Sequence, residues 1–391
     1  MFDYAPLQAP DESALRDVLC HALNIPRDYW STFVDRIDRR NLRALIDKGT
    51  VIGGLGIYRM GQWFSGRVVP CGGISIVGIA PQRRREGAAR FQLQRCLEEL
   101  HADGTPLAAL YASSQAVYRS VGFEQGGSRC EYELPITNIR LDDREAAIRE
   151  VSIESPAPFE HLHRRRSAID NGLIERTHGL WQRILHWPGC HSKPQQAYMI
   201  GDTESPEGYL ISFHTDGGSE PVQIIIRDWC AVTPRAGRRL WTLLADHGSI
   251  VESVRWHGPP ADPMLAHVAE CKHTQVKVNR WMLRIVDVGE ALRARGYLPG
   301  VEEELHLEVI DELLPANTGR YVLTVGNATA DVSNGGRGDL RCTIRGLAPL
   351  YTGFLRPEAL ARLGWLEGEP PALQAAARIF CGPEPWMPEI F

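Results

Sequence analysis

The stretch that decides the fold is Ile76-Val-Gly-Ile-Ala-Pro-Gln-Arg-Arg-Arg-Glu-Gly-Ala-Ala89. Its order predicts an apolar strand that runs directly into a basic, glycine-containing loop and then into a helix. Arg84, Gly87 and Ala89 form the spacing R-x-x-G-x-A, in which small residues let backbone N–H groups approach an anion while arginine adds charge-assisted hydrogen bonds. Arginine runs alone more often mark a solvated helix start. The position after a strand instead favours a pyrophosphate-binding loop.

The elements predicted around this loop divide the 391 residues into three blocks. Two helices, an antiparallel meander over 41–80, the loop, a helix and further strands make a block of residues 1–140. Residues 141–283 repeat this order weakly, and residues 284–391 read as an α+β unit that ends in a Pro-rich tail. The loop matches neither G-x-x-x-x-G-K-[ST] nor G-x-G-x-x-G, so a nucleotide triphosphatase loop and a dinucleotide site are unsupported.

Charge and cysteine content narrow the function classes further. Lys and Arg total 43 against 48 Asp and Glu, which gives a formal charge of −5. This charge does not indicate general electrostatic binding to nucleic acid or to an anionic membrane. A cationic or neutral partner fits better. No apolar run is long enough to span a membrane. Nine widely spaced cysteines, Cys190 and Cys271 among them, lack C-x-x-C pairs. They predict reduced thiols, a cytoplasmic protein and no metal site.

A second motif, Tyr118-Arg-Ser-Val-Gly-Phe123, follows the loop, its helix and the next strand. This order resembles the acetyl-CoA core of the GNAT acetyltransferases. The resemblance implies that the loop cradles the CoA pyrophosphate, that N–H groups of the preceding strand polarise the thioester carbonyl, and that Tyr118 protonates the departing thiolate. A tyrosine pKa of about 10 lies above the roughly 8.5 of a thiol, so Tyr118 would be protonated at neutral pH. Spacing alone leaves Tyr118 equally well explained as a core aromatic residue.

More narrowly, the stretches 77–85, 109–118 and 283–292, together with the terminal Phe391, resemble the Eis family of N-acetyltransferases. That resemblance implies two tandem GNAT-fold α/β domains, the second degenerate, with mixed, centrally antiparallel sheets flanked by helices. An α+β sterol-carrier-protein-like domain would follow. It also implies a homo-oligomer, a hexamer by family pattern, and an acetyl-CoA site made by Val77, Gly78, Ile79, Arg84, Arg85, Glu86, Gly87, Ala88, Ala89, Arg90, Ser113 and Ser114.

The catalytic base that the resemblance implies is the terminal carboxylate of Phe391, which would reach from the third block into the first. Three prolines and several apolar residues in the tail predict that it is ordered. Acceptors would be small-molecule or peptide primary amines of the aminoglycoside, polyamine or lysine type. Asp28, Trp30 and Glu389 are the candidates for the amine pocket.

Two alternatives remain open from the sequence. A lipid- or sterol-binding carrier predicts a deep apolar cavity in the third block and no dependence on Tyr118. A CoA-binding scaffold with little turnover would follow if Glu86, an acid inside the phosphate loop, weakened the site. The segment 233–241 lacks the loop spacing and is predicted to be structural, and Arg164 to Arg166 are predicted to form a solvated helix face.

Overall fold

The computed structural model describes residues 2–187, 194–218, 220–270 and 272–391. Cys190 and Cys271, which the sequence predicts to be reduced thiols, lie outside these residues. The seven cysteines inside them are free, and six of those are buried. Within the described ranges, no helix has the length and apolar character needed to cross a bilayer.

The first block contains the predicted helices, meander and β-loop-α-β unit. Its elements are β1 (Phe2–Pro6), α1 (Glu12–Leu23), α2 (Tyr29–Ile37), β2 (Leu42–Asp47), β3 (Thr50–Phe64), β4 (Arg67–Ile79), α3 (Ala88–Ala102), β5 (Leu107–Tyr111), α4 (Gln115–Arg119) and β6 (Glu124–Pro135). Only β1 was not predicted by the sequence pattern. It pairs antiparallel with β2.

The middle block repeats strands and helices in a similar order. Its elements are β7 (Ile148–Glu150), α5 (Ala157–Ser167), β8 (Ile174–Glu175), α6 (His178–Leu185), β9 (Gln196–Gly201), β10 (Pro206–His214), β11 (Gln223–Ala231), α7 (Pro234–Ala245), β12 (Ser253–Gly258) and β13 (Thr274–Ile285). The prediction that Arg164 to Arg166 form a solvated helix face is wrong for Arg166. The Arg166 guanidinium is mostly buried and faces Asp228 at 3.3 Å, because the strand β11 places a carboxylate beneath it.

The first two blocks share one sheet of the order β1-β2-β3-β4-β5-β13-β6-β12-β11-β10-β9-β7, with β8 added to β3. Strand β13, from the end of the middle block, lies between β5 and β6 of the first block. It pairs antiparallel with both, as in the register of Trp281 with Tyr111 and with Gly127. The predicted division at residue 283 therefore falls inside a strand that completes the sheet of the first block.

The third block has its own five-stranded sheet of the order β16-β15-β14-β17-β18. Its elements are α8 (Val288–Ala294), β14 (Glu303–Ile310), β15 (Gly319–Gly326), β16 (Thr329–Asn334), β17 (Leu340–Thr343), α9 (Ile344–Thr352), α10 (Pro357–Arg362), β18 (Leu366–Gly368) and α11 (Pro370–Ile379). Helix α9 packs on β6 and β13. A fully buried ion pair, Arg284 to Asp311 at 2.7 Å, joins β13 to this block.

The tail after α11 returns to the first block and is held there by main-chain bonds. The N–H of Ser128 in β6 donates to the Pro385 carbonyl at 3.0 Å, and the Met387 N–H donates to the Ser128 carbonyl at 3.1 Å. The Tyr111 hydroxyl donates to the Met387 carbonyl at 2.7 Å. The tail is thus ordered, as its prolines and apolar residues predict, and it brings Phe391 to the first block.

Candidate functional site

The site begins where two parallel strands separate. Strand β4 pairs with β5 only from Cys71 to Gly73, although both strands continue beyond that point. On its other side, the register of β4 with β3 shifts between Ser75 and Gly78. Ile76 sits in this bulge with φ +46°, a conformation that is strained for a β-branched residue. The bulge and the separation leave main-chain groups near Val77 free to face a ligand.

The gap between the two strand ends is a cleft of about 510 Å³. Its walls come from the end of α1, the end of β4, the basic loop, the start of α3 and the segment from β5 into α4. The cleft is lined by Ala22, Leu23, Val77, Gly78, Ile79, Arg83, Arg84, Arg85, Gly87, Ala88, Ala89, Arg90, Ser113, Ser114, Val117, Tyr118 and Ser120. It brings together all the predicted acetyl-CoA contacts except Glu86.

The loop itself is shaped to receive an anion. Arg85 and Gly87 have φ +67° and +82°, so successive N–H groups turn toward one side, and a residue other than glycine at 87 would be strained although its Cβ would meet nothing within 4 Å. Helix α3 then begins at Ala88 without a side-chain cap. Its first N–H groups therefore remain available to a negatively charged group.

The N-terminus of the equivalent helix in the middle block, α7, is capped by a side chain of the chain itself. The Thr233 hydroxyl accepts a hydrogen bond from the Ala236 N–H at 3.2 Å and so caps α7. Arg235 in the first turn forms an ion pair with Glu207. This self-capped start agrees with the structural role predicted for the segment 233–241.

The charge of Glu86 is compensated locally. Its carboxylate accepts from Arg83 Nε at 2.9 Å, and Arg83 also contacts Asp47 at 2.7 Å. Glu86 does not line the cleft, whereas Arg83 does. Glu86 therefore offsets the charge of Arg83, while Arg84, Arg85 and Arg90 also line the cleft and keep it basic.

The structure places Tyr118 both in the core and at the edge of the cleft. Its ring packs edge-on against Phe123, with 6.0 Å between centroids, and only 6% of the residue is exposed. It also borders the cleft beside Ser114 and Val117. Burial raises the pKa of Tyr118 to about 12. The hydroxyl is consequently protonated throughout the neutral range and can donate.

The residues present fit the CoA group that the sequence predicts. The loop amides, the uncapped helix and Arg84 suit a pyrophosphate. The close packing of Gly78 on α1, where an added Cβ would lie 2.6 Å from Leu19, explains the glycine at that position. Leu19 therefore limits the space around Gly78.

Phe391 lies on the α1 and α2 face of the sheet. Its ring meets Tyr58 of β3 edge-on, with 6.1 Å between centroids, and the residue is buried. A Cβ on Gly73 of β4 would come within 2.9 Å of this ring, so glycine at that position is required for the close approach. The end of the tail therefore lies against the same strand, β4, that leads to the cleft.

The three predicted amine-pocket residues occupy different environments. Glu389 is buried and accepts from Arg176 Nε at 2.6 Å, in a chain of charges that continues from Arg176 to Asp228. Asp28 is exposed before α2. Trp30 is buried and lines a small apolar crevice beside Ile76. The ion pair makes Glu389 a tether of the tail, and only Trp30 approaches the strand that borders the cleft.

Sequence reasoning missed a group of residues around the tail, among them Arg129, Arg176, Arg183 and Trp187. They come from β6, from the segment before α6, from α6 itself and from the second residue after it. No local motif contains them. Only the shared sheet and the returning tail bring them together.

Comparison with known proteins supports the three-part organisation. Models of GNAT acetyltransferase domains match residues 3–126 and 172–285, and a model of the sterol carrier protein domain matches residues 288–388. The N-acetyltransferase Eis of Mycobacterium tuberculosis is 28% identical over 85% of this chain and 83% of that protein. Eis1 of Mycobacterium abscessus shares the fold over the full length of both chains, with a TM-score of 0.83 and 23% identity.

A solved GCN5-related N-acetyltransferase of Anabaena variabilis is 35% identical over the whole of both chains, with a TM-score of 0.97. The predicted fold class, two tandem GNAT domains followed by a sterol-carrier-protein-like domain, is confirmed. The chain belongs to the GCN5-related N-acetyltransferases, is Eis-like in its three-part organisation and is an acetyl-CoA-dependent N-acetyltransferase.

Proposed function

We propose that the protein transfers an acetyl group directly to a primary amine, with Tyr118 as general acid and the terminal carboxylate of Phe391 as general base. The observation that carries this proposal is the convergence on one cleft of the splayed end of β4, the uncapped start of α3 and the buried hydroxyl of Tyr118. Acetyl-CoA supplies the activated acyl group. From the family relationship we also propose a cytoplasmic homo-hexamer and acceptors of the aminoglycoside, polyamine or lysine type.

In this proposal the chain performs three tasks. The loop and the start of α3 hold the CoA pyrophosphate, and main-chain N–H groups near Val77 stabilise negative charge on the carbonyl oxygen. The Tyr118 hydroxyl donates its proton to the leaving sulfur. The Phe391 carboxylate takes the proton that the amine loses. A free α-carboxylate is a weak base with a pKa of about 3.5, so this transfer is assigned to a bridging water.

The filled interior of the third domain favours catalysis over a lipid-carrier function. The guanidinium of Arg295 is fully buried there between the rings of Tyr297, Tyr351 and Phe380, at 5.1 to 5.6 Å from their centroids. An apolar ligand in this core would have to displace a buried cation from its aromatic contacts. The cleft also keeps Arg84, Arg85 and Arg90 in its lining although Glu86 pairs with Arg83, which argues against a scaffold with a weakened site.

The proposal is tested by incubating the full chain with acetyl-CoA and a panel of primary amines, and by following both free thiol and acetylated amine. We expect both products to appear in equal amounts. Thiol release without acetylated amine would indicate hydrolysis, and bound acetyl-CoA with no transfer to any amine would support the scaffold alternative.

Replacing Arg84 by alanine, or Gly87 by aspartate, should weaken acetyl-CoA binding by about tenfold or more, because a charge-assisted hydrogen bond contributes roughly 1.5 to 3 kcal/mol. Gly87→Asp also places a negative charge and a strained residue at the loop. Isothermal titration measures both affinities. Arg356→Gln, at an exposed arginine of the third domain, is the matched control. Unchanged affinity in both loop variants would remove the loop from the site.

The pH profile should show no loss of activity from Tyr118 below about pH 10. An ordinary tyrosine would begin to lose its proton there, but burial raises the pKa of Tyr118 to about 12, so the acid stays protonated while the amine acceptor becomes more reactive. Single-turnover rates from neutral to alkaline pH, with the melting temperature measured at each pH, test this. An alkaline decline near pH 9 in stable protein would contradict the assignment.

A further inference from the structure

Another cavity adjoins the cleft, at the junction of the first and third domains. It has a volume of about 340 Å³, and we call it the junction cavity. Its walls come from the first turn of α3, the end of α4, the end of β14 and the start of α9, with the turns that follow α4 and β14. Arg90 and Ser120 line both the junction cavity and the cleft. A ligand that fills the cleft can therefore extend into the junction cavity.

Arginines from two domains line the junction cavity. Arg90 and Arg119 belong to the first domain, and Arg345 belongs to the third. Arg119 and Arg345 both contact one buried carboxylate, that of Glu124, at 2.8 and 2.6 Å. Burial disfavours a charge on Glu124, but the hydrogen bonds from the two arginines outweigh burial and lower its pKa. Glu124 is thus ionised at neutral pH and balances only one of the two guanidinium charges.

Glu124 also fixes the orientation of both guanidinium groups. Arg119 donates to this carboxylate through Nε and Nη2, and Arg345 does the same, which leaves the Nη1 of each arginine for another acceptor. The guanidinium of Arg345 also lies over the Trp365 ring, 5.7 Å from its centroid. A planar guanidinium that is already held in place loses little freedom when its remaining N–H donors meet a phosphate oxygen. The arrangement is preorganised for an oxyanion.

The acidic residues of the lining do not cancel this positive charge. Asp311 is buried, and its two oxygens accept from Arg284 Nη2 at 2.8 and 2.7 Å, so this pair is neutral. Glu312 is exposed to solvent. Arg90 forms no ion pair with any residue that the structure describes. Three guanidinium groups therefore stand against the two carboxylates of Glu124 and Glu312, and the junction cavity keeps an excess of positive charge.

We propose that the junction cavity binds the 3′-phosphate of CoA through Arg90, Arg119 and Arg345. CoA carries this phosphate on the ribose next to its pyrophosphate, so a molecule held at the basic loop has a second anionic group for the basic cavity that adjoins it. The inference rests on the use of acetyl-CoA in the proposed function and not on the assignment of the acid or the base. It gives the third domain, through Arg345, a part in selecting CoA over 3′-dephospho-CoA.

CoA and 3′-dephospho-CoA differ only in this phosphate and are the matched probes. We expect calorimetry on the full chain to show that CoA binds about tenfold or more tightly than 3′-dephospho-CoA, the value of one charge-assisted hydrogen bond. Because binding is measured, the result depends neither on the acceptor amine nor on turnover. Equal affinity for the two probes would overturn this inference alone. Absence of binding by both would overturn it together with the use of acetyl-CoA.

Arg345→Gln should remove the preference for CoA and leave the affinity for 3′-dephospho-CoA unchanged, with the melting temperature as the check on folding. Arg119→Gln, which leaves Arg345 paired with Glu124, should reduce the preference independently. Arg356→Gln, at an exposed arginine of the third domain that does not line the junction cavity, is the control and should preserve it. A preference that survives both cavity variants and disappears in Arg85→Gln would assign the 3′-phosphate to the basic loop and overturn the inference.

Discussion

Tyr118→Phe should lower kcat by about 100-fold, the lower range for loss of a positioned proton donor. The hydroxyl is needed only as negative charge develops on the sulfur, so the effect belongs to kcat more than to KM. The phenyl ring keeps the edge-on contact with Phe123, and the affinity for acetyl-CoA should change little. Pre-steady-state measurement of acetyl transfer separates the chemical step from product release.

A suitable control removes another buried tyrosine hydroxyl at a distance from the cleft. Tyr321 donates to the Asn317 carbonyl at 2.9 Å inside the third domain. Tyr321→Phe should reduce stability modestly, by about 1 kcal/mol for a lost hydrogen bond, and leave kcat intact. If Tyr118→Phe transfers acetyl at the wild-type rate when chemistry limits turnover, Tyr118 is not the acid.

Adding two glycines after Phe391 should reduce acetyl transfer by about 100-fold or more, as expected for loss of a general base. The base in the proposal is a main-chain carboxylate, and each added residue displaces it by about 3.5 Å, more than the reach of a hydrogen bond. The buried ring of Phe391 leaves the extension little room. The rate is measured with the same amine and acetyl-CoA concentrations as for the unextended chain.

The same two glycines added before Met1 provide the matched control and should have no effect on the rate. Melting temperature and acetyl-CoA affinity must be measured for both forms, because an extension could also detach the tail from β6. A stable, acetyl-CoA-binding protein extended after Phe391 that acetylates at the native rate would disprove the terminal base. Glu389 would then be a weak substitute, since its charge is already engaged by Arg176.

The parts of the site that the sequence predicts are those encoded locally. The strand, loop and helix from Ile76 to Ala89 are contiguous, so spacing alone indicates their geometry. Helix α11 was not predicted, although its two prolines, Pro370 and Pro371, lie in the first turn, where a helix accommodates proline well. Arg166 was misassigned because its partner, Asp228, lies far away in the chain.

The cavity around the tail could not be predicted for a related reason. Arg129 and Arg183 belong to β6 and α6, which are far apart in the chain, and they line one cavity together with residues of the returning tail. Charge summed over the chain reports solubility and average fields rather than the composition of one cavity. The expectation of a cationic or neutral partner rests on that sum and stays a prediction.

The position of β13 also determines when the sheet of the first domain can be completed during synthesis. Strands β5 and β6 leave the ribosome early, but the strand that separates them is made only at residues 274–285. Until then the nascent first domain exposes two unpaired strand edges, which favour misassembly. The tail that carries Phe391 arrives later still. In the proposed mechanism, acetyl transfer therefore needs the whole chain rather than the first domain alone.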